Sequence, residues 1–331
     1  MINSYQVTKQ APIPSGFGEH TTAIEALNGR NLLGKTAIVT GGYSGLGLET
    51  VRVLSEAGAT VIVPARTPDK ARASLEHLRR VELETLDLMD PNSIQAFAKR
   101  FIDSGRPLDI LVNSAGIMAV PLIRDNRGYE SQFATNHLGH FQLTAQLWDA
   151  LRKSGNARVV SVSSRALQFA GVDFDDPNFE RRDYEKWMAY GQSKSANSLF
   201  AVALDRFGYS SGVRAFSVHP GTIVTDLSRH LSDEEMRSMG ALDEQGNRVA
   251  HEQNRGFKSV EQGAATSVWC ATSEQLDGKG GVYCEDVDIA NVLPDNATPG
   301  SPGVSPWAID LDAANRLWKL SEEMTGVKFG G

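Results

Sequence analysis

From Lys35 onward the chain is punctuated by short runs of β-branched and aliphatic residues. They fall at Thr36–Thr40, Thr60–Ala65, Val81–Asp87, Ile110–Asn113, Ala157–Ser163, Arg214–His219 and Gly281–Tyr283. Most are continuously apolar instead of alternating, which is the pattern of strands covered on both faces. Longer amphipathic runs separate them, and several open on readable helix starts. Thr67-Pro68 and Asp90-Pro91 each set an N-cap ahead of a proline at the first helical position. Ser259-Val260-Glu261-Gln262 has the spacing of a capping box. Leu46–Glu56 and Tyr184–Phe207 also read as helices. This alternation predicts an α/β fold, a doubly wound parallel sheet with helices on both faces of a single domain.

The two ends break the alternation. Residues 1–34 carry Pro12, Pro14 and several glycines and read as an N-terminal arm lying over the surface. Residues 35–290 are expected to form the domain proper. Residues 291–309 hold four prolines and read as an irregular loop, followed by a helix near Leu311–Met324, so that 291–331 packs on the same domain.

Composition narrows the class. A chain of 331 residues, 41% apolar and 22% charged, can bury a large core. Its 33 basic against 40 acidic residues leave a net charge of −7, which argues against a nucleic-acid or anionic-membrane partner. No window reaches the roughly eighteen unbroken apolar residues of a membrane span, and residues 1–34 lack the apolar core of a signal peptide. Cys270 and Cys284 are the only cysteines and read as reduced thiols. The expectation is a cytoplasmic protein. The histidines form no HxxxH or comparable cluster, so no metal is expected.

Two patterns carry chemistry. The first apolar run empties into Thr40-Gly41-Gly42-Tyr43-Ser44-Gly45-Leu46-Gly47, with spacing G-x-x-x-G-x-G. Glycines let backbone approach a pyrophosphate closely, and the helix that follows offers free N–H groups and a positive dipole end. Its position between strand and helix makes a dinucleotide the expected ligand. An acidic residue after the second strand would accept hydrogen bonds from a free ribose and repel a 2′-phosphate. The residue here is Arg66, which can meet that phosphate with two charge-assisted bonds. NADP(H) is therefore the preferred cofactor, with NAD(H) possible. The second pattern is Tyr190 and Lys194, one turn apart on one helix face. A tyrosine with an ordinary pKa near 10 is a poor acid or base at neutral pH. An adjacent ammonium and an oxidised nicotinamide favour its phenolate and bring it towards the working range.

Taken with other strings in the same order, these patterns resemble the short-chain dehydrogenase/reductase superfamily. The matching pieces are Thr40 to Gly47, Asp87, Asn113-Ser114-Ala115-Gly116, Asn136-His137-Leu138-Gly139-His140-Phe141, Ser163-Ser164, Tyr190 with Lys194, and His219-Pro220-Gly221. The resemblance covers roughly Gly34 to Tyr283. The Asn-His-Leu-Gly-His-Phe string and the Ala65-Arg66 pair look most like the retinol dehydrogenase and WW-domain oxidoreductase branch. The resemblance implies a Rossmann-type fold and a catalytic tetrad of Asn136, Ser164, Tyr190 and Lys194. Tyr190 would protonate the carbonyl oxygen in reduction and act as base in alcohol oxidation. Ser164, rather than Ser163, would hold that oxygen. Lys194 would bind the nicotinamide ribose and depress the Tyr190 pKa, and Asn136 would hold a water linking Lys194 to solvent. Gly41, Ser44, Gly45, Leu46 and Gly47 would line the pyrophosphate. Asp87 and Leu88 would flank the adenine, and Asn113, Ala115 and Gly116 would pass under the ribose. Pro220, Gly221, Ile223 and Thr225 would position the nicotinamide.

The chain departs from the family pattern in three places. Ser114 replaces a usual asparagine. The interval from Ser164 to Tyr190 is long and carries Phe169, Phe174, Phe179, Tyr184 and Trp187, which suits either a cap over a lipophilic carbonyl or alcohol substrate or a cover over a subunit surface. Ser228 to Lys258 is charged and turn-rich where the family has a mobile substrate lid. A homo-oligomer, dimer or tetramer, is expected over a monomer. Two other readings compete: an NAD-linked secondary alcohol dehydrogenase, in which Arg66 is incidental, and a non-catalytic dinucleotide sensor. Such sensors usually lack the tyrosine or the lysine, and both are present here.

Overall fold

The computed structural model describes residues 5–223, 225–243, 245–247 and 256–330. Among these residues eight strands form one sheet: β1 (Thr36–Val39), β2 (Thr60–Ala65), β3 (Val81–Thr85), β4 (Ile110–Asn113), β5 (Ala157–Val162), β6 (Val213–His219), β7 (Val282–Glu285) and β8 (Asp288–Ile289). Their order is β3-β2-β1-β4-β5-β6-β7-β8. Every neighbouring pair is parallel except β7 with β8, an antiparallel edge added by the two-residue β8, which sequence reading did not foresee. The first seven strands fall where the apolar runs predict.

The helices are α1 (Ala23–Leu27), α2 (Gly45–Glu56), α3 (Pro68–Leu75), α4 (Pro91–Asp103), α5 (Ser131–Phe133), α6 (Gly139–Gln146), α7 (Trp148–Ser154), α8 (Lys186–Gly208), α9 (Asp233–Ser238), α10 (Val260–Thr272) and α11 (Leu311–Thr325). Their starts follow the expected chemistry. Asp90 accepts from the Asn92 amide, and Ser259 with Gln262 forms a complete capping box. Thr67 stands ahead of Pro68, but its side chain makes no capping bond.

Successive strand residues feed opposite faces. Ala37, Val39 and Val63 join Leu54 of α2 and Val268 and Trp269 of α10 in one core. Ile38 and Ile62 join Phe97 and Phe101 of α4, Phe141 of α6 and Phe200 of α8 in the other. That two-sided burial is why most of the strands read as unbroken apolar runs, whereas the edge strand β3 is partly exposed and alternates.

The ends are built in more closely than a surface arm suggests. Thr22 and Glu25 form a capping box that starts α1, and Ala23 and Ala26 are buried in the core beside α10. The Gln10 side chain bonds Tyr283 and Ala290, and the Asp288 carboxylate accepts from the amides of Ile13 and Ser15. At the other end α11 lies along α8. Its Trp318 and the following Phe329 pack with Phe141, Phe200 and Phe207. No helix among the described residues is long and apolar enough to cross a membrane.

Sheet order decides where a ligand can sit. From β1 the chain winds one way to β2 and β3, then returns to β4 on the other side. The crevice outside the carboxyl ends of β1 and β4 is the topological switch point, where open α/β sheets bind ligands.

Candidate active site

A cleft of about 500 Å³ opens at that switch point. Its cofactor half is made by the turn from β1 into α2. Ser44 is the N-cap of α2 but makes no side-chain capping bond, which leaves the first amides of the helix for a ligand. Gly41 has φ +67°, and a Cβ there would come within 3.0 Å of Ala115. A Cβ on Gly47 would run into the Gly41 carbonyl. The turn is thus as tight as a pyrophosphate cradle must be, and the residues present fit a dinucleotide. Gly41, Ser44, Gly45, Leu46 and Gly47 line the cleft, as do Asp87, Leu88, Ala115, Gly116, Pro220, Gly221, Ile223 and Thr225. Arg66 lies exposed at the end of β2 in the same wall and makes no hydrogen bond or ion pair with the described residues. Asn113 is placed differently: its side chain is buried at the end of β4, with Nδ2 donating to Thr144 at 3.4 Å, outside the cleft lining. It supports the strand end instead of touching the cleft.

The proton-bearing groups stand between the two halves. Tyr190 and Lys194 project from α8 into the cleft, and the Lys194 Nζ lies 5.5 Å from the centre of the Tyr190 ring. That ammonium donates to the Val162 carbonyl at 2.9 Å. Of the two serines after β5, Ser163 donates to the Lys194 carbonyl at 2.7 Å and is buried. The Ser164 hydroxyl is the one that meets the Tyr190 phenol. Asn136 is fully buried behind this group, in a π-helical turn, Ala134–Leu138. Its Oδ1 accepts from the Ile117 amide at 2.9 Å, and its Nδ2 donates to the Ile117 carbonyl at 3.0 Å and to Ser193 at 2.9 Å. A Cβ on Gly116 would lie 3.1 Å from Asn136 Oδ1 and 3.8 Å from Lys194 Nζ, so all three meet at the cleft floor.

Electrostatics modify one expectation. Burial lowers the Lys194 pKa to about 7. Burial also pushes the Tyr190 phenol well above its ordinary value, with the Ser164 hydrogen bond pulling the other way. In the protein alone, desolvation therefore outweighs the depression expected from Lys194, and Tyr190 is held as a neutral proton donor.

The substrate half is apolar. Met118, Phe169, Trp187, Leu227, Met236 and Phe257 line it, with Arg165 and Arg229 among its few charged groups. Of the five aromatics in the 165–189 interval, Phe169 and Trp187 reach the cleft. Phe179 and Tyr184 pack on each other at 5.1 Å, and Phe174 lies under Arg316 of α11. Trp187 stands edge-on to both Phe169 and Tyr190. Its indole Nε1 donates to Glu235 of α9 at 3.2 Å, and Lys186 pairs with the same carboxylate at 2.6 Å. Sequence reading singled out neither Glu235 nor Met236. Of the expected lid, Ser228 to Lys258, positions 244 and 248–255 lie outside the described residues.

Residues 35–236 match the family model described as short chain dehydrogenase. A "Probable oxidoreductase" of Streptomyces antibioticus is 46% identical over 302 residues, covering 88% of this chain and 98% of that protein. Retinol dehydrogenase 12 of Mus musculus is 35% identical over 304 residues, covering 89% of this chain and 88% of that protein. A crystal structure of an uncharacterised protein from Mycobacterium paratuberculosis is 32% identical with a TM-score of 0.70, covering 92% of this chain and 98% of that one.

Proposed function

The chain belongs to the short-chain dehydrogenase family, a family of NAD(P)-dependent oxidoreductases, and on that footing we propose that it is an NADP(H)-linked reductase of lipophilic aldehydes or ketones, reversible as an alcohol dehydrogenase. The observation that carries this reading is the meeting of the Tyr190 phenol, the Ser164 hydroxyl and Lys194 where a glycine cradle adjoins an apolar pocket.

A bound nicotinamide dinucleotide would supply or accept the hydride. Gly41, Ser44, Gly45, Leu46 and Gly47 would hold its pyrophosphate, Asp87 and Leu88 its adenine side, and Arg66 a 2′-phosphate. Ser164 hydrogen-bonds the substrate oxygen and orients it towards Tyr190. The neutral phenol gives its proton to that oxygen in reduction and takes one back in alcohol oxidation. Lys194, whose pKa burial lowers to about 7, would bind the nicotinamide ribose and stabilise the phenolate that proton transfer leaves. Asn136 keeps the floor beneath Lys194 in place. Met118, Phe169, Trp187 and Phe257 exclude water and favour an apolar substrate.

The test compares NADPH with NADH oxidation, by nicotinamide absorbance, across aliphatic and aromatic carbonyls. Arg66→Ala is expected to raise the KM for NADPH by roughly 10- to 100-fold, the loss of a charge-assisted bond, and to leave NADH almost unchanged. Equal small effects on both cofactors would remove the 2′-phosphate role and favour the NAD-linked reading.

A further inference from the structure

We infer that His140 is a positioning residue of this active site, tying the Asn136 carbonyl to the cofactor floor through a hydrogen-bond chain that can run in only one direction. The chain begins at Thr40, at the end of β1. Its Oγ1 accepts from the amide of Ser114 at 2.9 Å and from that of Ala115 at 3.0 Å. A hydroxyl has two acceptor positions and one proton, so both of its acceptor positions are filled. The His140 Nε2 lies 2.9 Å from this oxygen, and the other acceptor within reach, the Val112 carbonyl, lies at 3.4 Å. Thr40 therefore donates to His140, and Nε2 must be the unprotonated ring nitrogen. The proton is then on Nδ1, which donates to the Asn136 carbonyl at 3.0 Å. Moving the proton to Nε2 would set a donor against the Thr40 hydroxyl and a bare Nδ1 against the Asn136 carbonyl, leaving buried polar atoms unpaired.

Burial permits no escape to the charged form. His140 is 2% exposed, and desolvation lowers its pKa to about 4, opposed by the bond to Asn136 and reinforced by the positive charge of Lys194. The other titratable ring beside it, His137, is likewise buried and neutral, pushed down to about 3. His140 thus joins three segments: the strand end before the glycine turn, the Ser114–Ala115 loop and the π turn. In that π turn the Asn136 side chain has both amide protons and its oxygen bonded on the Ile117 and Ser193 side, so the main-chain bond to His140 is what registers it against the Thr40 side of the floor.

The first test does not depend on the enzymatic reading. Nitrogen-15 NMR of the full chain, with labelled histidine and His140→Asn for assignment, should show His140 as the neutral Nδ1–H tautomer, without titration between about pH 6 and 9. An Nε2–H tautomer, or a ring that titrates in that range, would overturn the inference. The second test rests on the function proposed above. His140→Phe should lower kcat on the order of 10- to 100-fold, with the NADPH KM little changed and the alkaline limb of the pH profile displaced. His140→Asn, which keeps a donor at the Nδ position, should recover most of that loss. A full kcat in His140→Phe, or equal losses in both variants with an unmoved pH profile, would assign His140 a purely structural role.

Discussion

At the scale of single residues, burial sets the chemistry more strongly than charge pairing does. The i,i+4 spacing of Tyr190 and Lys194 was legible in the sequence, but the depth of α8 was not. That depth keeps the phenol neutral and brings Lys194 into the physiological range. It also has a measurable cost. In the unfolded chain Lys194 keeps its proton up to its ordinary pKa of 10.5, whereas in the folded protein it loses it near 7. Between those values the unfolded state binds the extra proton, so stability from this group rises with pH. Urea unfolding without cofactor should therefore show wild type gaining on Lys194→Met between pH 7 and 9, by at most about 1.4 kcal/mol per pH unit. A difference that stays flat with pH would mean that Lys194 is solvated in the folded state.

Secondary elements show where sequence patterning stops being informative. β1, β4, β5, β6 and β7 announced themselves because both faces are buried, and α4 and α10 because Asp90 and Ser259 cap them. The π turn holding Asn136 has no such signal, since its extra residue is a property of hydrogen-bond register and not of residue type. α9 was hidden for another reason: it has six residues, and its meaning comes from contacts distant in sequence. Its Glu235 caps its own helix through Ser232 and also receives Trp187 and Lys186. Those bonds, that to Lys186 foremost, hold the carboxyl down at about 2, so this latch stays charged at any working pH. It fixes the indole that forms one wall beside Tyr190. Glu235→Ala should accordingly raise the carbonyl KM roughly three- to tenfold, the loss to the substrate wall of one half-buried ion pair and the Trp187 hydrogen bond, with the NADPH KM unchanged. An equal rise in both constants would place the effect in overall folding instead of the substrate wall.

Across the whole molecule, the reversal of strand order between β1 and β4 brings the parts together. It sets the glycine turn, the Ser114–Gly116 loop and α8 around one crevice, although they are spread from Thr40 to Lys194 in sequence. The motif order made the cofactor half readable. The substrate half was less so, because Phe169 and Trp187 look no different in sequence from Phe174, Phe179 and Tyr184, which pack elsewhere. The terminal segments were least legible. α1 is five residues long, and the Trp318–Phe329 cluster draws on three other helices, so neither leaves a long periodic trace.

The proposed chemistry turns on the Tyr190 proton. The decisive measurement is single-turnover NADPH oxidation by Tyr190→Phe beside wild type, on whichever carbonyl the wild type reduces fastest, with NADPH affinity followed separately by fluorescence titration. The substitution keeps the ring, which is 4% exposed, and removes only the hydroxyl. Unchanged NADPH binding with a hydride-transfer rate lowered by roughly 10²- to 10⁴-fold is the expected result. A variant that binds NADPH and still reduces the carbonyl at close to the wild-type rate would show that the proton comes from another group, and the assignment of Tyr190 as the general acid would fall.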